Sequence, residues 1–135
     1  MNKTYVLDAS AMLVLLDRRP GAPRIERLLK EADQSNALLL ASVLNWGEVF
    51  YLSWLRGGEE IAHRALNYLS NLPIQVLAVD SAQVLKATEL RALHHIPYVD
   101  CLAAALASIH HATLVTSDRD FEKLGRNFAI SWIER

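Results

Sequence analysis

One cysteine, Cys101, stands in 135 residues, so no disulfide can form within the chain. That suits a reducing compartment, and the cytoplasm is the expected location. Glycine and proline are scarce, at five and four, which excludes collagen-like and low-complexity classes. No apolar stretch approaches the ~20 residues of a membrane helix. The apolar segment 5–16 is broken by Asp8 and leads into no small-residue cleavage site, so neither a signal peptide nor a membrane partner is expected. A charge surplus is missing as well. Fourteen Lys and Arg against fifteen Asp and Glu give −1, without the basic excess usual in nucleic-acid binders.

What is there is a globular composition. Apolar residues make up 52% and charged residues 21%, which rules out disorder. The length fits a single domain over residues 1–135 with room for a real core. Leucine (23) and alanine (18) together favour helix over strand.

Along the chain, two kinds of segment alternate. Residues 4–7, 37–41, 74–79, 112–116 and 128–133 are short, apolar runs that read as buried strands. Residues 9–16, about 22–32, 43–56, 61–69 and about 99–109 carry helical spacing, another helix opens after Asp80, and a further short one lies near 121–124. Pro20-Gly21, Gly57-Gly58, Pro73 and Pro97 punctuate them, and Asp80 with Gln83 has the form of a capping box. Strands buried on both faces and separated by helices predict an α/β protein, a central, mostly parallel sheet with helices on both sides. Such sheets bind ligands beyond the carboxyl ends of their strands, so the residues just after each strand matter most.

Asp8 comes directly after the first strand and Asp118 shortly after the strand 112–116. Asp100 lies in the first turn after Pro97, and Glu48 sits one to two turns into the helix after the second strand. All are set in apolar segments, and no Lys or Arg lies close in sequence to Asp8, Glu48 or Asp100. A carboxylate in such a setting costs several kcal/mol unless partnered. Without basic partners the natural counter-charges are cations, and oxygen donors alone select Mg²⁺ or Mn²⁺. A simpler role competes at each position. Asp8 can cap the helix starting at residue 9, and Asp100 suits a helix dipole wherever it points. Glu48 has no such role: it shares a helix face with Leu44, Tyr51, Leu52 and Leu55, a face expected to be buried.

These segments resemble a family. VLDASA (6–11), GEVFYL (47–52), PYVDCLAAALA (97–107) and LVTSDRDFEKL (114–124) are similar to the PIN domain, in particular to VapC-type toxin ribonucleases of toxin–antitoxin systems, over nearly the whole chain. The resemblance implies a three-layer α/β/α fold on a five-stranded parallel sheet. It implies Asp8, Glu48, Asp100 and Asp118 as catalytic metal ligands, Ser10 and Thr116 as supporting hydroxyls, and Asp120 as an acid just outside the metal shell. The implied activity is Mg²⁺- or Mn²⁺-dependent hydrolysis of single-stranded or loop RNA by a metal-activated water, leaving 5′-phosphate and 3′-hydroxyl ends. The implied partners are RNA, a cognate antitoxin protein and a second copy of the chain in a homodimer.

Two bound divalent ions, four positive charges, would turn the formal −1 into +3 and make an anionic pocket attractive to phosphate. Arg119, Lys123 and Arg18 are then candidate guides for the RNA backbone. The histidine pairs 94–95 and 110–111 fall near helix C-termini, where a cation suits the dipole, and Cys101 reads as a core residue. Trp46, Phe50 and Trp54 recur every four residues on a side away from Glu48. That row is expected to pack against a partner, unless neighbouring helices of the same chain cover it. Two rivals remain. An Asp-nucleophile phosphohydrolase usually has a second Asp two residues after the first, where this chain has Ser10. A non-catalytic interaction module on the same fold has no need of four acids.

Overall fold

The computed structural model describes residues 2–135. Five strands form one sheet: β1 (Lys3–Leu7), β2 (Ala37–Ser42), β3 (Gln75–Leu77), β4 (Thr113–Thr116) and β5 (Ile130–Trp132). All neighbours are parallel, in the order β3-β2-β1-β4-β5. The helices are α1 (Ala9–Leu16), α2 (Ala22–Asp33), α3 (Val43–Gly57), α4 (Glu59–Ser70), α5 (Ser81–His94) and α6 (Tyr98–Ile109). A short 3-10 turn covers Arg119–Leu124. This is the expected three-layer α/β/α arrangement.

The strands carry apolar side chains on both faces, as helix cover on both sides demands. Tyr5, Leu7, Leu39 and Val115 face a core shared with α1 and α2. Val6, Leu40 and Leu114, the alternate residues, face α6. Each fully buried leucine among them contributes about 2 kcal/mol. Cys101 through Ala107 are buried without a break. Four alanines in that run let α6 lie close on the sheet, and its apolarity is that of a core helix. No helix among the described residues is long and apolar enough to cross a membrane.

The edge strands are shorter than the sequence suggests. β3 keeps three residues of the expected 74–79 and β5 three of 128–133. Each has one neighbour only, so the outer apolar residues extend past the ladder. The box at Asp80 is half formed: Asp80 accepts from the Gln83 N–H at 2.9 Å, while the Gln83 side chain donates to the Ala78 carbonyl. Gly58, at φ 90°, turns the chain between α3 and α4, a conformation that a Cβ would strain.

Connections leave β1 in opposite directions, first to β2 and β3, later to β4 and β5. The strand order therefore reverses between β1 and β4. In open parallel sheets the crevice beyond the carboxyl ends at such a reversal is where ligands bind. Asp8 directly succeeds β1 and Asp118 lies two residues after β4, one on each side of it.

Candidate metal centre

Asp8 is extended (φ −81°, ψ −179°) between the end of β1 and the start of α1. Its Oδ1 accepts the Ala11 N–H at 2.9 Å, so it is the N-cap of α1. The cap is only part of its environment. Oδ1 also accepts from the Ser10 hydroxyl at 2.7 Å and Oδ2 from the Thr116 hydroxyl at 2.5 Å. Three of roughly four lone-pair directions are filled, which leaves one on Oδ2. Asp8 is 2% exposed. Burial pushes its carboxyl up to about 6; the bonds from Thr116, Ala11 and Ser10 pull the other way, and the charge of Asp118 adds to the rise.

Ser10 and Thr116 join the two strand ends. The Ser10 and Thr116 hydroxyls lie 3.1 Å apart. Ser10 Oγ accepts the Ser117 N–H and Thr116 Oγ1 accepts the Asp118 N–H, each at 2.9 Å. Asp118 in turn accepts the Asp120 N–H at 2.9 Å, capping the 3-10 turn. The network thus runs from Asp8 through two hydroxyls to Asp118 and fixes the loop after β4 against the start of α1.

Asp100 occupies the first turn of α6, after Pro97, which offers no side-chain cap. Its carboxyl is pushed up to about 7, first by burial, then by the charges of Asp118, Asp8, Glu48 and Asp120. Glu48, on α3, is raised by burial and by Asp118. Acids from both ends of the chain, between positions 8 and 120, therefore share one electrostatic environment. Among the described residues no Lys, Arg or His side chain forms an ion pair with any of the five.

The donor set fits a hard cation. One carboxylate oxygen each from Asp100, Asp118 and Asp120 lie within 4.8 Å of one another, and all donors are oxygens. Asn45, one turn before Glu48 on α3, adds a second sign. It is completely buried, and neither atom of its amide has a hydrogen-bond partner among the described residues. The amide lies near enough to Glu48 to favour its charged form without closing a hydrogen bond.

Asp120, expected just outside the metal shell, offers a carboxylate oxygen within 4.8 Å of those of Asp100 and Asp118. Two expectations need correction, the place of Arg18 and the burial of the Glu48 face. Arg18 lies at the far end of α1 from Asp8, ~12 Å of helix away, and does not approach the site. Arg119 and Lys123 are on the exposed side of the 3-10 turn; Arg119 pairs with Glu122 at 3.5 Å and covers the Trp132 ring at 4.6 Å. The face of α3 expected to be buried with Glu48 is open: Leu44, Tyr51 and Leu55 are exposed, and the helix buries Asn45, Val49 and Ser53 instead. The aromatic row is covered in good part by the chain itself. Phe50 meets Trp54 and the His63 ring of α4 edge-on, at 5.6 and 5.1 Å, and Trp46 packs on the core. Trp54 stays largely exposed.

Comparison with known proteins agrees with this fold. The sequence pattern described as the PIN domain matches residues 5–127. No curated protein sequence matches. Among solved structures, VapBC2 from Rickettsia felis, bound to a DNA fragment from its promoter, is similar at TM-score 0.78 and 19% identity, over 97% of this chain and 99% of that one. DNA-bound VapBC from Salmonella typhimurium gives 0.74 and 18%, over 99% and 98%. VapC20 of Mycobacterium tuberculosis, a toxin that cleaves the sarcin–ricin loop, gives 0.70 and 20%, over 90% and 95%. At these identities the likeness is one of fold.

Proposed function

The chain belongs to the PIN-domain family, and from that premise we propose that it is the toxin of a type II toxin–antitoxin pair, a divalent-metal-dependent endoribonuclease. The observation that carries this reading is the gathering of Asp8, Glu48, Asp100, Asp118 and Asp120 at the sheet's reversal point, with no ion pair to a basic side chain among the described residues. Five carboxylates in one half-buried crevice repel one another, and a cation relieves that repulsion.

Asp100, Asp118 and Asp120 would hold Mg²⁺ or Mn²⁺, with Asp8 and Glu48 completing the ligand set. A divalent ion so held supplies positive charge to a phosphodiester and lowers the pKa of water bound to it. The chain's own residues do the rest. Ser10 and Thr116 aim the Asp8 carboxylate by donating to both its oxygens. The Thr116 hydroxyl also fixes the backbone at Asp118. Helices α6 and α3 carry Asp100 and Glu48 on rigid supports. No side chain is needed as general base.

A cognate antitoxin, a second copy of the chain and an RNA strand are the proposed partners, and the cytoplasm the proposed compartment. The solved neighbours named above as VapBC complexes support the antitoxin. Exposed Tyr51, Leu55, Ile61 and Tyr68 on α3 and α4 offer apolar surface for a protein contact. The test is cleavage of labelled single-stranded RNA with Mg²⁺ or Mn²⁺. Cleavage is expected with either ion, and none in EDTA or with Asp8→Asn. Cleavage that survives EDTA, or an Asp8→Asn protein as active as the parent, ends this reading.

A further inference from the structure

A cleft of about 400 Å³ lies between the 3-10 turn and β5. Phe121, Glu122, Arg126, Phe128 and Trp132 line it, and Glu122 is paired with Arg119. The register of β4 and β5 pairs Thr116 with Trp132. Paired residues of parallel strands leave the sheet on the same face, one strand spacing or ~4.8 Å apart. The Trp132 indole therefore leaves the sheet on the same face as the Thr116 hydroxyl that binds Asp8. The Arg119 guanidinium, one residue after Asp118, lies 4.6 Å from the centroid of that ring.

We propose that Trp132, with Arg119 and the cleft along β5, stacks an unpaired nucleobase of the RNA strand next to the phosphate held at the acids. The proposal deepens the nuclease reading and rests on it. Three observations choose a nucleotide over a protein segment. Trp132 pairs with Thr116, which donates to Asp8, and the Arg119 that covers its ring directly follows Asp118. The cleft walls combine aromatic rings with Arg126, the pairing that takes up a flat base and the phosphate joined to it, and the Glu122 carboxylate there is paired with Arg119. Arg126 and Lys123 form no ion pair among the described residues, so both are available to a polyanion. The base must be unpaired, because a ring held inside a duplex offers its face to its neighbours.

Two measurements test this. In a Trp46→Phe, Trp54→Phe background, Trp132 is the sole tryptophan. Its fluorescence should be quenched by single-stranded poly(A) oligoribonucleotide and left unchanged by duplex RNA of the same length. On labelled RNA, Trp132→Ala should raise KM about tenfold or more with kcat within about threefold, and Trp132→Phe should recover most of the loss. An abasic nucleotide at one position beside the cleaved bond should cost the parent protein the same factor and Trp132→Ala nothing further. Thermal melts of the variants separate binding from folding. If quenching by poly(A) occurs and no metal supports cleavage, the nuclease reading fails and the stacking site stands. Equal quenching by duplex, or KM unchanged in a folded Trp132→Ala protein, overturns the stacking site alone; a cleft that takes a protein segment gives that result.

Discussion

Raising the pH in the presence of EDTA should weaken this fold, and a divalent cation should remove the effect. The Asp8 carboxyl titrates near 6 in the folded chain, against 3.8 for an ordinary aspartate. The folded state thus holds its proton more tightly than the unfolded state. Stability from this group is complete below about pH 4 and is lost as pH climbs through about 6. A rise of that size corresponds to about 3 kcal/mol. Asp100, near 7, moves in the same direction and carries the loss on towards neutral pH. It is half-buried and screened by water, and the acids titrate together, so about 3 kcal/mol serves for the whole cluster. In a domain of this size that lowers Tm by roughly 10 °C. The assay is a set of thermal melts between about pH 5 and 8, in EDTA and in MnCl₂. With EDTA, Tm should fall across the range. With Mn²⁺ the fall should shrink or reverse, because the ion binds the deprotonated acids and gains on the proton as pH rises. Asp8→Asn should flatten the EDTA curve. A curve in EDTA that is level or rising, or one that Mn²⁺ leaves unchanged, refutes the argument that burial, with the neighbouring charges, raises these carboxyls in the folded chain.

Other substitutions probe single links. Asp118→Asn should cut RNA cleavage by at least about a hundredfold. It should also bring the Asp100 carboxyl down, since Asp118 is the largest charge acting on it; carboxyl chemical shifts tracked against pH will check that. Thr116→Val removes the donor to Asp8 and the acceptor of the Asp118 N–H. It should cost about 1–3 kcal/mol in denaturant melts and roughly ten- to hundredfold in cleavage rate, with Thr116→Ser restoring both. Asn45→Leu replaces an amide that closes no hydrogen bond among the described residues. It should stabilise the protein by about 1 kcal/mol while weakening Mn²⁺ affinity, read by calorimetry; a loss of stability would mean the amide is satisfied within the fold.

Much of the fold was legible because the strands and helices obey local rules. The boundaries of α1 and the start of α3 are set by the residues at their ends: Asp8 accepts from Ala11 and Ser42 from Leu44. The parallel sheet is a consequence of strands that are apolar on both faces. Errors arose where a residue's meaning depends on direction in space. Arg18 is ten residues from Asp8 in sequence, but α1 carries it away from the carboxyl edge. The Glu48 face looked buried because four large apolar residues share it, yet α3 buries the smaller stripe Asn45, Val49 and Ser53 against the core. That stripe recurs every four residues, and a polar residue opening it was the available signal for Asn45. Trp132 had no such signal. Its place beside Thr116 comes from the pairing of β5 with β4, a long-range register that no local spacing encodes.

The dual nature of Asp8 shows why capping and a role at the site are not rival explanations. A helix N-terminus presents N–H groups to the residue that closes the strand before it, and an aspartate there is held in one rotamer by that bond. Ser10, two residues on, donates to the same oxygen from the first turn of α1. A fixed carboxylate at a sheet's reversal point costs the fold stability through burial, as its raised pKa records. A cap alone would not require this: Asp80 caps α5 from an exposed position. The difference between the two aspartates is that Asp8 stands among other acids and is held by the Thr116 hydroxyl, from a strand end more than 100 residues away. Stability of the chain alone favours the arrangement of Asp80. The arrangement of Asp8 makes physical sense when a cation, which no ion pair among the described residues supplies, enters the balance.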